Sequence, residues 1–142
     1  MSENLNEIDD HGHTPLIEAA KSGDVGAIKD LVSRGADLNA KSNKGKTALH
    51  YAAANGRAIA IKELLAAGAE VDPRDREWHT PLMLAAIYGC NECVQDLLSS
   101  GADVNARTLA GNTAYIYAES NDHPDTAGIL KKVLRAKPHA IG

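Results

Sequence analysis

The stretch GKTALHYAAANGR (residues 45–57) carries the strongest structural signal in the chain, because two other stretches repeat its pattern. GHTPLIEAAKSGD (12–24) precedes it and HTPLMLAAIYGC (79–90) follows it, so that equivalent residues lie 33 positions apart. Four sets of residues keep this spacing: Thr14, Thr47, Thr80 and Thr113; Ala19-Ala20, Ala52-Ala53 and Ala85-Ala86; Gly35, Gly68 and Gly101; and Leu31, Leu64, Leu97 and Leu130. A period of this length predicts stacked structural repeats.

Each repeat unit predicts a pair of short helices. The threonine suits a helix N-cap, since its hydroxyl can accept a hydrogen bond from a free backbone N–H, and Pro15 and Pro81 suit the first helical position. Ile28, Leu31 and Val32 then follow at helical spacing. Glycine commonly ends a helix; the candidates are Gly23, Gly56 and Gly89 for the first helix, and Gly35, Gly68 and Gly101 for the second.

Taken together, these residues resemble the ankyrin repeats. The three motifs quoted above carry the resemblance, with the closings GADLNA, GAEVDP and GADVNA, and it covers about residues 9–134. It implies an all-α solenoid of four helix-turn-helix repeats joined by hairpin fingers, whose concave face of fingers and first helices binds other proteins. The expected repeats are 9–41, 42–74, 75–107 and 108–134, with an N-terminal arm at 1–8 and a C-terminal tail at 135–142.

Polar residues at both ends predict that the first and last repeats cap the stack. Glu18 stands in repeat one where the later repeats have Tyr51, Leu84 and Tyr117. In repeat four, Lys131 stands where earlier repeats have apolar residues. Terminal repeats need one polar outer face because nothing stacks there, so we expect a complete four-repeat protein.

Composition narrows the class of partner. The net charge of −4, with a pI near 5.8, argues against a general nucleic-acid binder. No apolar run approaches the roughly 20 residues of a membrane helix, and the acidic start MSENLNEIDD lacks the regions of a signal peptide. We expect a cytoplasmic, monomeric protein that binds neither membranes nor nucleic acid.

One stretch nearly matches a nucleotide-binding pattern. AKSNKGKT (40–47) fits G-x-x-x-x-G-K-[ST], with Ala40 in place of the first glycine. Such a loop needs a buried strand before it and a helix N-terminus that faces the phosphates, whereas GADLNA is a repeat connection. The period already explains Gly45 and Thr47. A nucleotide-responsive regulator that uses Lys46 is kept only as an alternative.

Cys90 and Cys93 form a C-x-x-C pair and are the only cysteines. Cys93 occupies the position of Ala27 and Ala60, which favours a core-filling role. Zinc would need two further ligands, and the chain has no second C-x-x-C or suitably placed histidine pair. A small redox-responsive regulator remains the other alternative function.

No histidine has a recognisable nucleophile or acid partner nearby in sequence, so we expect no catalysis, cofactor or metal. His50 stands at the histidine of the ankyrin T-P-L-H motif, and the resemblance implies a structural residue that bonds within and between repeats. Asn39 and Asn105 match the closing asparagine, whose side chain is expected to bond to the backbone. In this family the same position can be a substrate for asparaginyl hydroxylation, which stays open.

Trp78, the only tryptophan, replaces a glycine of the repeat. The other three repeats have Gly12, Gly45 and Gly111 there. Glycine at this position indicates a turn with positive φ, which costs other residues about 1–2 kcal/mol. Two explanations are open: packing against a neighbouring finger through Lys46, Arg76 or Leu109, or an anchor for a partner, because tryptophan is frequent at interface hot spots.

Basic residues lie along fingers two to four, although the chain as a whole is acidic. KSNKGK (41–46) carries +3 and RTLAGN (107–112) carries +1, whereas IDDHGH (8–13) carries −2. Ile87 and Tyr88 add apolar area at the end of the first helix of repeat three. The predicted function is a non-enzymatic module that binds a polypeptide with an acidic and apolar surface. The predicted contact residues are Lys44, Lys46, Arg76, Trp78, His79, Ile87, Tyr88, Leu109 and Asn112.

Overall fold

A computed structural model describes residues 5–136, in which every regular element is an α-helix. The first helices of the repeats are α1 (Pro15–Ser22), α3 (Ala48–Ala54), α5 (Pro81–Tyr88) and α7 (Ala114–Ser120). The second helices are α2 (Val25–Ser33), α4 (Ala58–Ala66), α6 (Asn91–Ser99) and α8 (Pro124–Ala136). Each helix packs on its partner in the same repeat and on its equivalent in the next repeat. The predicted all-α solenoid of two helical layers is confirmed.

The first helices begin at the residues that predicted them. The hydroxyls of Thr14 and Thr80 accept hydrogen bonds from the N–H groups three residues later, at 3.1 and 3.3 Å. Thr47 and Thr113 cap α3 and α7 in the same way. These bonds satisfy donors that a helix N-terminus otherwise leaves free.

The core is a continuous seam between the two layers. Ala20, Ala53 and Ala86 are fully buried, and their small side chains let the first helices lie close together. Leu64 and Leu97 of the second layer are fully buried as well, and each contributes about 2 kcal/mol of apolar transfer energy. Because neighbouring repeats enclose these residues together, each repeat depends on the next for its stability.

His50 connects α3 to the following finger. Its Nδ1 accepts the N–H of Thr47 at 3.1 Å, so Nε2 carries the proton and donates to the carbonyl of His79 at 2.8 Å. Burial lowers the pKa of His50 from its ordinary 6.5 to about 4, so the ring is neutral near pH 7. The bonds within and between repeats that the resemblance implied are therefore present.

The two ends of the stack differ in detail from the expected bounds. Helix α8 continues to Ala136, so it includes the first two residues of the expected tail; residues 137–142 lie outside the described residues. At the other end, Leu5 packs against the core and the side-chain oxygen of Asn6 accepts the N–H of Asp37 at 3.0 Å. These residues of the expected arm therefore contact repeat one. The repeat boundaries themselves stay predictions.

Candidate protein-binding surface

The fingers are the hairpin turns that precede the first helices, and hydrogen bonds join them into one edge. The N–H of Asn43 donates to the carbonyl of His11 at 3.0 Å, and the N–H of Arg76 donates to that of Lys44 at 3.1 Å. The basic residue that begins a finger also donates a hydrogen bond to the next finger. Lys41 donates to the carbonyl of Arg74, and Arg74 donates to that of Arg107. The finger edge is therefore a fixed scaffold for the side chains at its tips.

Trp78 keeps the turn that glycine adopts in the other repeats. Its φ is +70°, beside +76°, +75° and +86° at Gly12, Gly45 and Gly111. Its N–H donates to the carbonyl of Asp75 at 3.0 Å, as Gly45 donates to Ser42. The positive φ inferred from the glycine pattern is therefore correct. The bulky side chain carries a strain of order 1 kcal/mol that the glycines avoid.

The indole ring of Trp78 has one charged neighbour and remains 45% exposed. The guanidinium carbon of Arg74 lies 5.7 Å from the ring centroid, and Arg74 also donates to the carbonyl of Trp78 at 2.8 Å. Within residues 5–136 the cation–π partner is thus Arg74 and not Lys46 or Arg76. Sequence reasoning missed Arg74, although the basic residues Lys41, Arg74 and Arg107 recur at the 33-residue period.

Other large apolar side chains lie exposed in the last two repeats. Leu109 at the fourth finger tip is 80% exposed, and Tyr88 at the end of α5 is 61% exposed. Ile87 is half-buried against the core, so it offers less surface. Ile116 was missed: it occupies the position of His50 and is 39% exposed. No first helix among the described residues packs over that face of α7.

Two of the predicted steering residues are engaged inside the protein. The ammonium of Lys46 lies 2.9 Å from Oδ2 of Asp75, and the two side chains are 14% and 0% exposed. Burial raises the pKa of Asp75, but the Lys46 contact and the N–H of His79 outweigh it and bring the pKa below its ordinary value. Because the carboxylate of Asp75 compensates the charge of Lys46, this ammonium contributes little long-range attraction for a partner.

The side chain of His79 also makes contacts within the protein. Its Nε2 lies 3.2 Å from the hydroxyl of Tyr117, and its Nδ1 lies 3.6 Å from Oδ2 of Asp75. Its side chain is 15% exposed. Lys44 and Arg76 are exposed at the tips of adjacent fingers, whereas Asn112 is half-buried. Cationic character at the finger edge therefore rests on fewer groups than the sequence predicts.

Residues 40–47 do not have the context of a phosphate-binding loop. They form the second finger, which follows the turn after α2, and among the described residues no strand precedes them. Thr47 caps α3 with its hydroxyl, and Lys46 points to Asp75. The geometry therefore gives the nucleotide-responsive alternative no support.

Acidic and histidine side chains converge at two places that could hold a metal ion. In the first, Asp9, His13 and Glu18 lie together, and Nδ1 of His13 is 2.6 Å from Glu18. In the second, Asp75 and His79 lie with Glu77, but the Lys46 ammonium on Asp75 repels a cation. Neither group contributes to the exposed apolar surface.

The two cysteines depart from the core-filling expectation. Cys93 is fully buried on α6, as expected from Ala27 and Ala60, but its sulfur is bonded to that of Cys90. Cys90 is the N-cap of α6, where its sulfur accepts the N–H of Cys93 at 3.2 Å. The repeat pattern does not predict this disulfide, because the equivalent residues Ala27 and Ala60 only fill the core and have no sulfur to bond.

Stacked helix pairs with hydrogen-bonded fingers define a helical repeat protein. The family model for ankyrin repeats, an array of three copies, matches residues 16–108 and 74–140. The chain therefore belongs to the ankyrin repeat family, as the quoted motifs indicated. Proteins of this family generally bind other proteins, and at this general level the chain is an interaction module. No curated protein matches it in sequence.

None of the helices within residues 5–136 has the length and hydropathy of a membrane span.

Proposed function

We propose that the chain binds a polypeptide segment across the finger tips and first helices of repeats three and four, and that it catalyses no reaction. The exposed ring of Trp78 carries the proposal. It keeps a strained turn that three glycines occupy without strain, and nearly half of its surface faces solvent. A large aromatic side chain on a fixed scaffold loses little conformational freedom on binding, which is typical of interface hot spots.

The spacing of the exposed residues favours an extended ligand. Trp78 precedes α5 and Tyr88 ends it, and α5 is about 12 Å long at about 1.5 Å per residue. A segment of roughly four extended residues, at about 3.3 Å each, spans this length. Leu109 lies on the next finger and widens the apolar contact, with Ile87 at its edge.

The charge at the finger edge favours an acidic flank on the partner. Lys44 and Arg76 are exposed on adjacent fingers, so both can pair with carboxylates beside the apolar anchor. Asn112 offers a polar contact on the fourth finger. We further propose that the protein acts as a cytoplasmic monomer and binds neither nucleic acid nor membranes, in keeping with its acidic composition.

A displayed-peptide library selected on the full chain tests this proposal. We expect enriched peptides to be acidic with one or two large apolar residues. Each should change the fluorescence of Trp78, which is the only tryptophan and therefore reports contact at the finger directly. Affinity is then measured by calorimetry for Trp78→Gly and for Tyr88→Asn, the latter matching Asn55 and Asn121.

We expect both variants to weaken binding about tenfold or more, as for hot-spot residues. The matched control is Ile59→Glu, which changes an apolar residue of α4 that is 61% exposed to the glutamate of the next repeat, Glu92. It should leave affinity unchanged. Peptides that respond to Ile59→Glu but not to the two surface variants would place the binding face elsewhere.

A further inference from the structure

We infer that Cys90 and Cys93 form a reversible dithiol–disulfide site, in which Cys90 exchanges with external thiols and Cys93 is the resolving sulfur. The two sulfurs are bonded to each other, and the two residues differ in exposure. Cys90 is partly buried at the start of α6 and keeps some exposed surface, whereas Cys93 is fully buried. This inference is independent of the proposed peptide-binding surface.

The solenoid is open at Cys90 in a way that it is not at the equivalent positions. Arg57 lies against Gly23 of the preceding repeat, with its Cδ 2.9 Å from where a Cβ of residue 23 would be. His123 covers Gly89 in the same way. Cys90 occupies the place of Arg57 and His123, but its side chain is shorter and is bonded to Cys93. Within the described residues, nothing beyond the chain neighbours therefore lies within 4 Å of where a Cβ of residue 56 would be.

A cleft beside this position gives a thiol reagent room to approach. It has a volume of about 270 Å³, and its lining includes Gly56, Ile59 and Glu92. Glu92 lies between the two cysteines in sequence. Cys90 lies two residues before Glu92 and therefore close to this cleft without lining it, whereas attack on Cys93 would require the core to open.

A purely structural role explains the pair less well. The disulfide joins residues three positions apart, so it closes a very short loop and removes little entropy from the unfolded chain. The repeat also packs without it, since Ala27 and Ala60 occupy the position of Cys93. At the N-cap of α6 a Cys90 thiolate would accept the N–H of Cys93 and face the positive end of the helix dipole, which stabilises the thiolate of a C-x-x-C pair.

Reduction proceeds through two balanced exchanges with a dithiol. A reagent thiolate attacks Sγ of Cys90, and the electron pair of the protein S–S bond leaves on Sγ of Cys93, which takes up a proton. The second thiolate of the reagent then attacks its own mixed-disulfide sulfur and releases the Cys90 thiolate. The protein disulfide is reduced to two thiols, and the reagent is oxidised to its cyclic disulfide.

Thiol counting on the full chain tests reversibility. The protein is equilibrated in glutathione buffers from fully oxidised to fully reduced and quenched with acid. It is then alkylated with N-ethylmaleimide after denaturation and weighed by mass spectrometry. Because the chain has two cysteines, we expect a shift between zero and two adducts in both directions, with circular dichroism unchanged. Two adducts throughout, or a disulfide that excess dithiothreitol opens only in denaturant, would overturn the inference.

Two single variants test which sulfur exchanges. Cys93→Ala restores the residue of repeats one and two, and Cys90→Asp restores the N-cap of α2, where Asp24 accepts the N–H of Ala27 at 3.1 Å. Both changes match residues that the repeat already tolerates. We expect Cys90 in the first variant to form a mixed disulfide with oxidised glutathione at least tenfold faster than Cys93 in the second. Equal rates, or faster reaction at Cys93, would contradict the assignment.

Discussion

Trp78 places two opposing effects on one residue. The turn requires φ near +70°, a conformation that costs a bulky residue about 1 kcal/mol. The ring recovers part of that through Arg74, since a partly exposed cation–π contact is worth about 0.5–1 kcal/mol. We therefore expect Trp78→Gly to change the free energy of unfolding by less than about 1 kcal/mol, measured in urea.

Trp78→Ala separates the two effects. Alanine keeps the unfavourable turn and loses the ring, so this variant should be less stable than Trp78→Gly by about 1 kcal/mol. If both variants destabilise the protein by more than about 2 kcal/mol, the ring is chiefly a structural packing group. The case for a binding anchor would then lose its main support.

Lys46 illustrates how burial changes the function of a charged residue. Its ammonium compensates the fully buried carboxylate of Asp75, and removal of one partner leaves an unpaired buried charge. We expect Lys46→Ala to lower the free energy of unfolding by about 3 kcal/mol. The matched control is Lys44→Ala on the same exposed finger tip, for which we expect a change within about 0.5 kcal/mol. Equal effects in urea denaturation would show that the ion pair contributes little.

Among the elements, the loops that join successive repeats are held by one side chain in each. The amide oxygen of Asn39 accepts the N–H of Glu70 at 3.0 Å, and Oδ2 of Asp72 accepts that of Asp103 at 3.0 Å. Asn6 makes the same bond to repeat one. Asp72 is therefore an exception at a position that asparagine otherwise occupies. Its other oxygen is buried without a hydrogen-bond partner in the described structure.

Replacement of this aspartate is expected to stabilise the fold. Burial raises the pKa of Asp72 above its ordinary value, so the folded protein binds this proton more tightly than the unfolded chain does. Above that pKa the carboxylate is charged in both states, and its burial then lowers the free energy of unfolding. Asp72→Asn should therefore raise the free energy of unfolding at pH 7 by on the order of 0.5–1 kcal/mol. The gain should shrink as the pH falls through the raised pKa of Asp72 towards the ordinary value of 3.8.

The reverse exchange at the equivalent position provides the control. Asn39→Asp should destabilise the protein at pH 7 and less so near pH 4, as followed by thermal melts across this range. A gain from Asp72→Asn that does not depend on pH would assign the effect to the amide hydrogen bonds instead of the charge.

Local elements were readable from the sequence, whereas contacts between fingers were not. Threonine, proline and glycine act within a few residues, so they predict where a helix begins and ends. The glycine pattern predicted the positive φ of this turn, but left open whether Trp78 adopts it or a different turn. The pairing of Lys46 with Asp75 and of Arg74 with Arg107 depends on how far apart two fingers lie, which a 33-residue period does not specify. For that reason the sequence did not predict that Lys46 and His79 make contacts within the protein.

At the scale of the whole molecule, stability comes from contacts between neighbouring repeats. Within residues 5–136, each middle repeat has such an interface on both sides, whereas the first and last repeats have one each. Polar residues in the first and last repeats, at positions that are mostly apolar in the other repeats, agree with this arrangement. Glu18 is half-exposed on α1, and Lys131 is exposed on α8. The same arrangement implies that equivalent core residues differ in their contribution to stability.

Leu64 and Leu130 allow this difference to be measured, because both are fully buried at the same position of the repeat. We expect Leu64→Ala to lower the free energy of unfolding by about 2–5 kcal/mol, the range for a buried leucine. Leu130→Ala should cost less. The cavity in α8 can relax at the end of the stack, and fraying of the last repeat removes only one interface. Since burial is equal, exposure of the leucine does not explain a difference between the two variants. Denaturant melts that rank them equally or in reverse would show that repeat four does not behave as a terminal unit.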